Sequence, residues 1–472
     1  MEILHVSAEC YPMAKAGGLG DVVGALPKYQ NSLGHIAKVV MPMYRTKFLY
    51  ANEWELVHEG GQMLGNQWFR YSVIREKTNK LGFDLYLVDI NGILDREKIY
   101  GYDDDKERFI SFQLAVCDWV SHWQHSPDIV HCHDHQAGLV PFFMKHCYAF
   151  SYQLANVRTV FTIHNGEYQG QFGWDKYYYI PAYDTWNWGG LDWNDTINPM
   201  ASGIKSSWRV TTVSPGYMEE LRYSARGLET LFEYEKGKCS GILNGIDTEV
   251  WNPETDSYLI KNYNIKTVAP GKAANKKHLI EQFGLDETKP LICFIGRLVG
   301  EKAADVLPGG IGQSIYQHGG KANFLVLGSG DSQVEGELSA LAERFKGYVN
   351  VYIGYSEPLS HIMYAGCDFL LMPSRVEPCG LNQLYALRYG TIPIVRNIGG
   401  LKDTVKDYGS EDGFGITMEQ SSAGDIAYAV GRAIELFENT EKFNDIRKQI
   451  MTIDHSWDVS AQEYLNLYES IL

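Results

Sequence analysis

One stretch decides the fold, and it reads FLLMPSRVEPCGLNQLYALRYGTIPIV over residues 369–395. Residues 369–372 form a short apolar run, typical of a strand buried on both faces, and Pro373 ends it. Residues 382–389 have helical spacing, and residues 391–395 read as a second buried strand. The pattern predicts a βαβ unit with a charged loop at the carboxyl end of its first strand, the edge at which open parallel sheets bind ligands.

The same alternation of strands and helices runs through the whole chain. At 472 residues the chain exceeds what one core usually serves, because domains typically span ~100–200 residues. We therefore predict the α/β class, with two Rossmann-like, doubly wound domains that meet near residue 248. Candidate strands lie at 3–8, 36–41, 129–135, 160–163, 210–213 and 241–247 in the first half, and at 291–295, 323–327, 349–353, 369–372 and 391–395 in the second. The strand at 129–135 runs into a loop, and the period of two places His131 and His133 on one of its faces.

The end of the chain has the pattern of an amphipathic helix. Trp457, Ala461, Tyr464, Tyr468 and Leu472 recur at helical spacing and give one apolar face. The expected organisation is an N-terminal domain over 1–247, a C-terminal domain over 248–455 and a final helix over 456–472.

Composition excludes several classes of partner. The formal net charge of −16 disfavours nucleic acid and anionic membranes. No apolar run approaches the roughly 20 residues of a membrane span, and the N-terminus runs into a strand without the pattern of a signal peptide. The eight cysteines are scattered without a C-x-x-C pair, which is typical of reduced thiols in a cytoplasmic protein.

Two motifs carry a resemblance to a known family. Residues 377–384, EPCGLNQL, resemble the E-P-C-G-L-x-Q-L signature of bacterial glycogen synthases and plant starch synthases. Residues 15–21, KAGGLGD, are similar to the N-terminal K-x-G-G-L-G-D signature of the same enzymes. The resemblance implies two Rossmann-like domains facing a cleft (GT-B type), with the last helix returning to the N-terminal domain. It also implies a retaining glucosyltransferase that adds glucose from a nucleotide-glucose to the non-reducing end of an α-1,4-glucan.

Cationic loops after two strands suit a leaving diphosphate. Lys15 precedes a glycine loop at a helix start, which together make an anion site, although half of such loops are ordinary turns. Arg297 and Lys302 share a loop after another strand, and an exposed cationic loop is the rival interpretation. The family's G-R-L-x-x-x-K-G motif matches there, except that Ala303 replaces the usual glycine. Because cations and amides stabilise the departing diphosphate, no metal cofactor is required.

The resemblance assigns roles residue by residue. The expected catalytic residues are Asp134, His164, Arg297, Lys302 and Glu377, and Tyr100 faces the acceptor. The expected donor-binding residues are Lys15, Gly17, Gly18, Asn244, Tyr355, Cys379, Gly380, Leu381, Gly400, Leu401 and Thr404. Asp21 and Gln383 match the motifs without a definite role.

Several alternatives stay open at this stage. Glu377 has three interpretations: a nucleophile forming a covalent glucosyl-enzyme, a carboxylate that positions the sugar, or an ion-pair partner of Arg297 or Lys302. Residues 131–135, HCHDH, and the acidic run 103–105 invite metal hypotheses, which isolated clusters support poorly.

The function has alternatives of its own. The donor is ADP-glucose or UDP-glucose, and the acceptor is glycogen or a malto-oligosaccharide. A catalytically silent sugar-binding protein on the same fold is one rival hypothesis. A transferase with a small acceptor is the other, and the K-x-G-G-L-G-D start argues against it.

Overall fold

The computed structural model describes all residues, 1–472, and separates them into two compact units. Unit 1 comprises Met1–Asn244 together with Trp457–Leu472, and unit 2 comprises Gly245–Ser456. Each unit is a sheet of mainly parallel strands with helices on its faces, which confirms the predicted α/β class. No helix combines the length and the apolar composition needed to cross a membrane.

Unit 1 is built on a nine-stranded sheet. The strands of unit 1, in both the large sheet and a small second sheet, are β1 (Glu2–Val6), β2 (Ile36–Pro42), β3 (Trp54–Leu64), β4 (Gln67–Glu76), β5 (Asp84–Asp89), β6 (Ile129–His133), β7 (Arg158–Ile163), β8 (Phe172–Gly173), β9 (Asp192–Trp193), β10 (Thr196–Ile197), β11 (Arg209–Thr212) and β12 (Cys239–Gly241). The order in the large sheet is β12-β11-β7-β6-β1-β2-β5-β4-β3, and β8, β10 and β9 form a small separate sheet. The pairings from β12 to β5 are parallel, whereas β3 and β4 add an antiparallel edge that the sequence analysis did not predict.

The helices of unit 1 follow its strands and cover both faces of the sheet. They are α1 (Gly18–Ser32), α2 (Lys47–Ala51), α3 (Asp105–Ser121), α4 (Val140–His146), α5 (Tyr148–Leu154), α6 (Pro199–Ser206), α7 (Pro215–Leu221) and α8 (Glu229–Tyr234). Short 3-10 turns lie at His135–Ala137, Trp174–Tyr179, Thr185–Gly190 and Lys236–Lys238.

Unit 2 repeats the doubly wound plan with a six-stranded parallel sheet. Its strands are β13 (Leu291–Ile295), β14 (Asn323–Gly328), β15 (Val349–Ile353), β16 (Phe369–Met372), β17 (Ile392–Arg396) and β18 (Ile416–Met418), in the order β15-β14-β13-β16-β17-β18. Its helices are α9 (Val268–Phe283), α10 (Leu307–Gln317), α11 (Ser332–Arg344), α12 (Glu357–Gly366), α13 (Asn382–Arg388), α14 (Gly399–Thr404), α15 (Ala423–Glu438) and α16 (Thr440–Ile450), with 3-10 turns at Gly300–Lys302 and Ala304–Val306. Two apolar clusters fill the two faces of this sheet.

The last helix, α17 (Trp457–Glu469), belongs to unit 1. Trp457, Ala461, Tyr464 and Tyr468 are buried in one cluster with apolar residues of α1, β1 and β6. Helical spacing places these four side chains on the same side of α17, as the sequence pattern indicates.

The structure differs from the sequence expectations at several element boundaries. Within residues 241–247, expected as a strand, only Gly241 belongs to β12, because the pairing partner β11 ends two residues before Ser214, the residue that caps the next helix. Ile246 forms an isolated bridge with Ser456. The polar segment before residue 290 contains α9, whose Lys272 is buried against backbone carbonyls. Leu472, expected on the buried face of the last helix, is 57% exposed because α17 ends at Glu469.

Candidate active site

The loop after β1 is organised by Glu9, a carboxylate that the sequence analysis did not single out. Its Oε2 accepts the backbone amides of Ala16 at 2.7 Å and Gly17 at 3.1 Å, and its Oε1 accepts the phenol of Tyr100 at 2.6 Å. Glu9 is 3% exposed, so three donors satisfy a buried carboxylate and hold the glycine loop in one shape. The one sequence signal was its position just before a loop whose amides need an acceptor.

Lys15 and the glycines lie at the start of α1. Lys15 Nζ is 2.7 Å from Asp21 Oδ1, and the Lys15 side chain is 42% exposed. A Cβ added at Gly17 or Gly18 would meet no atom within 4 Å, so the protein itself leaves room for a side chain at both positions. Because the Gly17 amide is donated to Glu9, the Gly18 amide and the partly exposed Lys15 ammonium, beside Asp21, are the donors that this helix start presents.

Asp134 supports the loop that carries His164. The Asp134 Oδ1 accepts the backbone amide of His164 at 2.7 Å and that of Asn165 at 3.4 Å, and Asp134 has a positive φ of 57°. Burial raises the pKa of Asp134 to about 7, although the two amides act in the opposite direction. The structure thus brings together Asp134 and His164, two of the expected catalytic residues, at the carboxyl ends of the adjacent strands β6 and β7.

His164 is held neutral in its surroundings. Burial lowers the pKa of His164 to about 3, and its Nε2 lies 3.0 Å from Nδ1 of His133. A ring that stays uncharged at neutral pH can orient a hydroxyl but does not act as a proton donor of ordinary imidazolium strength.

Three histidines, His5, His131 and His133, lie together in the core with ligand atoms within 4.8 Å of one another. Each of their ring nitrogens already has a hydrogen-bond partner, in Gln30, Thr162, Tyr468 or another histidine. A metal ion would have to displace these bonds. The set has the composition of a metal site, but its donors are used for a hydrogen-bond network.

The acidic run at 103–105 has structural partners. Asp104 pairs with Arg96, and the Asp105 carboxylate accepts the backbone amides of Gly101 and Tyr102 beside a salt bridge to Arg108. These contacts hold the loop that precedes α3. Two of the three acidic side chains, Asp104 and Asp105, are therefore engaged in local structure.

Asn244 is another expected donor-binding residue of unit 1, at the carboxyl edge of the sheet. It follows β12, is 6% exposed, and its Oδ1 is buried without a hydrogen-bond partner. A buried amide oxygen in this state is an available acceptor at the carboxyl edge of the sheet.

In unit 2 the central feature is an ion pair between loops of adjacent strands. Lys302, after β13, lies with its Nζ 2.6 Å from Oε2 of Glu377, after β16, and Ser374 Oγ donates to the same oxygen at 2.9 Å. The Glu377 side chain is 6% exposed and that of Lys302 is 25% exposed. Of the three interpretations of Glu377, the ion pair is the one that the contacts show directly.

Arg297 does not join this pair. Its guanidinium is 67% exposed and lies 3.8 Å from Glu301, four residues along the same loop. Arg375, a second cation in the loop after β16, is engaged in a bidentate pair with Asp305. The edge of unit 2 therefore presents one partly buried, ion-paired ammonium and one exposed guanidinium.

Ala303, which stands where the family motif has glycine, adopts a backbone conformation that favours glycine. It has a φ of 55° and a ψ of 34°, the left-handed conformation that glycine adopts without strain. For another residue this conformation costs about 1–2 kcal/mol. Ala303 is fully buried, and burial of its methyl group returns about 0.8 kcal/mol. Burial of the methyl group therefore offsets part of the strain that alanine brings to this position.

Gly380 and Gly400, two of the expected donor-binding residues, lie in loops of unit 2 that contact each other. Gly400 donates its amide to the carbonyl of Glu377 at 3.1 Å, and a Cβ on Gly400 would lie 2.2 Å from the carbonyl oxygen of Cys379. Gly380 has a φ of 76°. Both positions require glycine for reasons internal to the protein.

The side chain of Gln383 forms hydrogen bonds with residues on both sides of this contact. Its Nε2 contacts Thr404 Oγ1 at 3.1 Å and donates to the carbonyl of Cys379 at 2.9 Å. Leu401 is fully buried and Leu381 immediately precedes α13, so these two expected donor-binding residues lie in the same cluster of loops. Tyr355, by contrast, is 81% exposed after β15, at the far edge of the sheet order.

These two sites, on two Rossmann-like units, define the class of the protein as a GT-B glycosyltransferase. The catalytic domain of starch synthase IV from Arabidopsis thaliana, solved bound to ADP and acarbose, matches with a TM-score of 0.87 at 32% identity, over 100% of this chain and 99% of that one. Sucrose-phosphate synthase from Thermosynechococcus elongatus matches with a TM-score of 0.64 at 16% identity, which shows the shared fold alone.

The sequence comparisons narrow the class to a family. Residues 2–234 match the starch synthase catalytic domain, and residues 275–449 match the glycosyl transferases group 1 domain. A glycogen synthase of Flavobacterium johnsoniae is 52% identical over 100% of this chain and 99% of its own. One from Geobacillus stearothermophilus is 36% identical over 100% and 98%. The chain belongs to the glycogen synthase and starch synthase family, which confirms the resemblance drawn from its motifs.

Proposed function

We propose that the protein transfers glucose from ADP-glucose to the non-reducing end of glycogen or a malto-oligosaccharide, forming an α-1,4 bond with retention of configuration. Family membership supports a glucosyltransferase, and the Arabidopsis relative with bound ADP supports an adenine nucleotide donor. The observation that carries the proposal is the Lys302–Glu377 pair at the carboxyl edge of the unit 2 sheet. It supplies a cation for the diphosphate and a carboxylate for the sugar.

The chemistry needs positive charge where the nucleotide leaves. Cleavage of the sugar–phosphate bond places negative charge on the diphosphate and positive charge at the anomeric carbon. Lys15, Arg297 and Lys302, with the amide of Gly18, are proposed to stabilise the diphosphate. The amides of Gly17 and Gly400 are donated to Glu9 and to the Glu377 carbonyl, so these two glycines are proposed to contribute to donor binding by allowing close approach of the ligand. Removal of one such group typically lowers the rate by about 10²–10³-fold.

Glu377 is proposed to position the sugar rather than attack it. Its Oε2 is already held by Lys302 and Ser374, which fixes the carboxylate in orientation. A fixed carboxylate balances positive charge at the anomeric carbon and accepts hydroxyl hydrogens. A nucleophile would instead form a covalent glucosyl-enzyme, which mass spectrometry of a quenched reaction would detect.

The remaining residues are assigned by place. His164, neutral and fixed by Asp134, is proposed to lie beside the transferred glucose, and Tyr100 on the acceptor side. Asn244 and Thr404 are proposed to contact the donor, and the exposed ring of Tyr355 to stack on its base. The buried loop residues Cys379, Gly380, Leu381 and Leu401 would shape this donor site.

The proposed reaction needs no metal ion. Supporting this, the histidine cluster uses its nitrogens in hydrogen bonds, and Asp104 and Asp105 of the acidic run pair with Arg96 and Arg108. A cytoplasmic location is proposed as well, since all eight cysteines are free thiols and seven of them are buried.

The direct test measures nucleoside diphosphate release with glycogen and either ADP-glucose or UDP-glucose, in EDTA. We expect release with ADP-glucose to be the faster and to be unaffected by EDTA. Faster turnover of UDP-glucose would overturn the donor assignment, and loss of activity in EDTA would overturn the metal-free scheme. Absence of release with both donors would indicate a silent sugar-binding protein.

A further inference from the structure

A row of hydrogen bonds runs beneath His164 through the core of unit 1. Gln30 Oε1 lies 2.8 Å from Nε2 of His5, His5 Nδ1 lies 3.0 Å from Nε2 of His133, and His133 Nδ1 lies 3.0 Å from Nε2 of His164. His5, His133 and Gln30 are fully buried. The row therefore connects α1 to the expected active-site histidine without passing through solvent.

The direction of one bond in this row fixes the direction of all the others. A neutral imidazole carries one N–H and one acceptor nitrogen. If Gln30 accepts from His5, then His5 must accept from His133, and His133 must accept from His164. His164 would then carry its proton on Nε2 and leave Nδ1 as an acceptor. If Gln30 donated instead, every ring would take the opposite tautomer.

A second branch decides how the Gln30 amide is turned. Gln30 Nε2 lies 3.2 Å from the hydroxyl of Tyr468 on α17, and that hydroxyl lies 2.6 Å from Nδ1 of His131. His131 Nε2 lies 2.6 Å from Oγ1 of Thr162, which contacts Thr211 Oγ1 at 2.5 Å. The two branches share only Gln30. Its amide has one end at His5, in the first branch, and the other end at Tyr468, in the second.

The hydroxyls of Tyr468 and Thr162 both contact His131, and the difference in their acidity sets the direction of the hydrogen bonds in this branch. A phenol is a more acidic donor than an aliphatic hydroxyl, and it is the poorer acceptor. Tyr468 therefore donates to His131, and His131 donates to Thr162. Having given its only hydrogen, the Tyr468 hydroxyl accepts from the NH₂ of Gln30, which turns the Gln30 oxygen toward His5.

We propose that Gln30, Tyr468, His5 and His133 are positioning residues that hold His164 as the Nε2–H tautomer. His164 Nδ1, which makes no hydrogen bond within the protein, is then an acceptor for a hydroxyl hydrogen of the bound sugar. The contact with sugar rests on the proposed function. The tautomer itself does not, because it follows from contacts inside unit 1 alone.

The tautomer is read by NMR of the full-length protein labelled with ¹⁵N-histidine. Long-range ¹H–¹⁵N correlations separate protonated from unprotonated ring nitrogens, and the His164→Gln spectrum assigns the His164 signals. We expect His164, His133 and His5 to be neutral Nε2–H rings at pH 7. A proton on Nδ1 of His164 would overturn the proposal, whether or not the protein transfers glucose.

Two variants test the control exerted by the distant residues. Gln30→Met keeps the shape of the side chain but removes the amide, and Tyr468→Phe removes only the hydroxyl that orients it. In both, we expect the His164 signals to become those of mixed tautomers. We also expect kcat/KM to fall by about three- to tenfold, the range for one lost neutral hydrogen bond.

Tyr464→Phe is the matched control, since Tyr464 is also fully buried on α17, one turn earlier. It should leave both the His164 signals and kcat/KM unchanged. An unchanged His164 tautomer in Gln30→Met and Tyr468→Phe would overturn the positioning role. A shifted tautomer with unchanged kcat/KM would overturn its link to the reaction. Wild-type Nε2–H signals without any glucosyl transfer would leave the tautomer established and reject the proposed function instead.

Discussion

Lys302 and Glu377 depend on each other for stability as well as for the proposed chemistry. The carboxylate is almost fully buried, with Lys302 and Ser374 as its partners. Loss of the ammonium leaves a buried negative charge with one hydroxyl, whereas loss of both charges does not. Stability and activity can therefore be separated at this pair.

Lys302→Met is expected to lower the free energy of unfolding by about 1–3 kcal/mol, a discounted value because Lys302 is partly exposed. The double variant Lys302→Met/Glu377→Gln should recover most of that loss in urea denaturation. Its kcat should stay at least about 10²-fold below wild type. A double variant that turns over at the wild-type rate would remove the pair from the mechanism.

The buried histidines make stability depend on pH. Burial lowers the pKa of His5 to about 4 and that of His164 to about 3, and it lowers the pKa of His131 and His133 well below 6.5. Between about pH 6.5 and 4 the unfolded chain binds these protons and the folded protein does not, so stability falls as the pH falls. Asp134 opposes this, because its raised pKa lets the folded state take up a proton below about pH 7.

Nine histidines have a lowered pKa, whereas four carboxyls, Asp21, Asp89, Asp134 and Glu463, have a raised one. We therefore expect the net free energy of unfolding to be lower at pH 5 than at pH 7. Urea denaturation at the two pH values measures the difference. His133→Gln should show a smaller difference, since it removes one of the titrating rings. Equal stability at the two pH values would contradict the neutral, buried state of the row.

At the scale of residues, the sequence predicted on which face of a strand a side chain lies better than which other side chains it touches. The period of two along a strand placed His131 and His133 on one face, and the structure agrees. Their meeting with His5 depends on β1 lying beside β6, a neighbour relation that the sequence does not specify. Glu9 was missed for a similar reason, because its partners are backbone amides and a tyrosine distant in the chain.

At the scale of elements, the two glycines at the start of α1 differ from the two glycines in the loops of unit 2. Gly400 and Gly380 are required by the protein's own backbone, whereas Gly17 and Gly18 leave space around an added Cβ. A ligand that approaches the helix start closely would supply the reason for these two glycines.

Gly18→Ala is therefore expected to leave thermal stability unchanged or slightly raised while lowering kcat/KM by at least about tenfold. Gly336→Ala on α11 is the matched control, because a Cβ there also meets nothing within 4 Å. That control should raise stability by up to about 1 kcal/mol and leave activity alone. Full activity in Gly18→Ala would show that no ligand passes close to this helix start.

The last helix is expected to be an integral part of the unit 1 core. Trp457 is 3% exposed in the cluster that α17 shares with α1, so Trp457→Ala should lower the free energy of unfolding by about 3–5 kcal/mol. Val459→Ala, on the exposed side of the same helix, should change it by less than about 0.5 kcal/mol. Similar effects of the two substitutions in urea denaturation would contradict the packing of α17.

The sequence predicted the strands and helices of unit 2 more closely than those of unit 1. The opening stretch contains β16, α13 and β17 within one residue of their expected bounds, because buried parallel strands are continuous apolar runs. The sequence did not indicate the β3–β4 hairpin because its strands are only partly buried and carry no such run. Helix α9 was hidden by buried lysines and asparagines, whose hydrogen bonds only the fold reveals.

At the scale of the whole molecule, the same plan is used twice with different side chains. In each unit, the charged and polar residues follow adjacent parallel strands at the carboxyl edge of the sheet. Unit 1 contributes Lys15, Asp134 and His164, and unit 2 contributes Lys302 and Glu377. The proposed function assigns both sets of groups to the transfer of glucose with retention to a growing α-1,4-glucan.

The most direct measurement follows radiolabelled glucose from ADP-glucose into glycogen in the presence of EDTA, with the product then digested by β-amylase, which releases maltose only from α-1,4-linked non-reducing ends. The account predicts that label enters glycogen and is released as maltose, and that Lys302→Met and His164→Ala each abolish most of the incorporation. Label that fails to enter glycogen, or that enters but resists β-amylase, would contradict it.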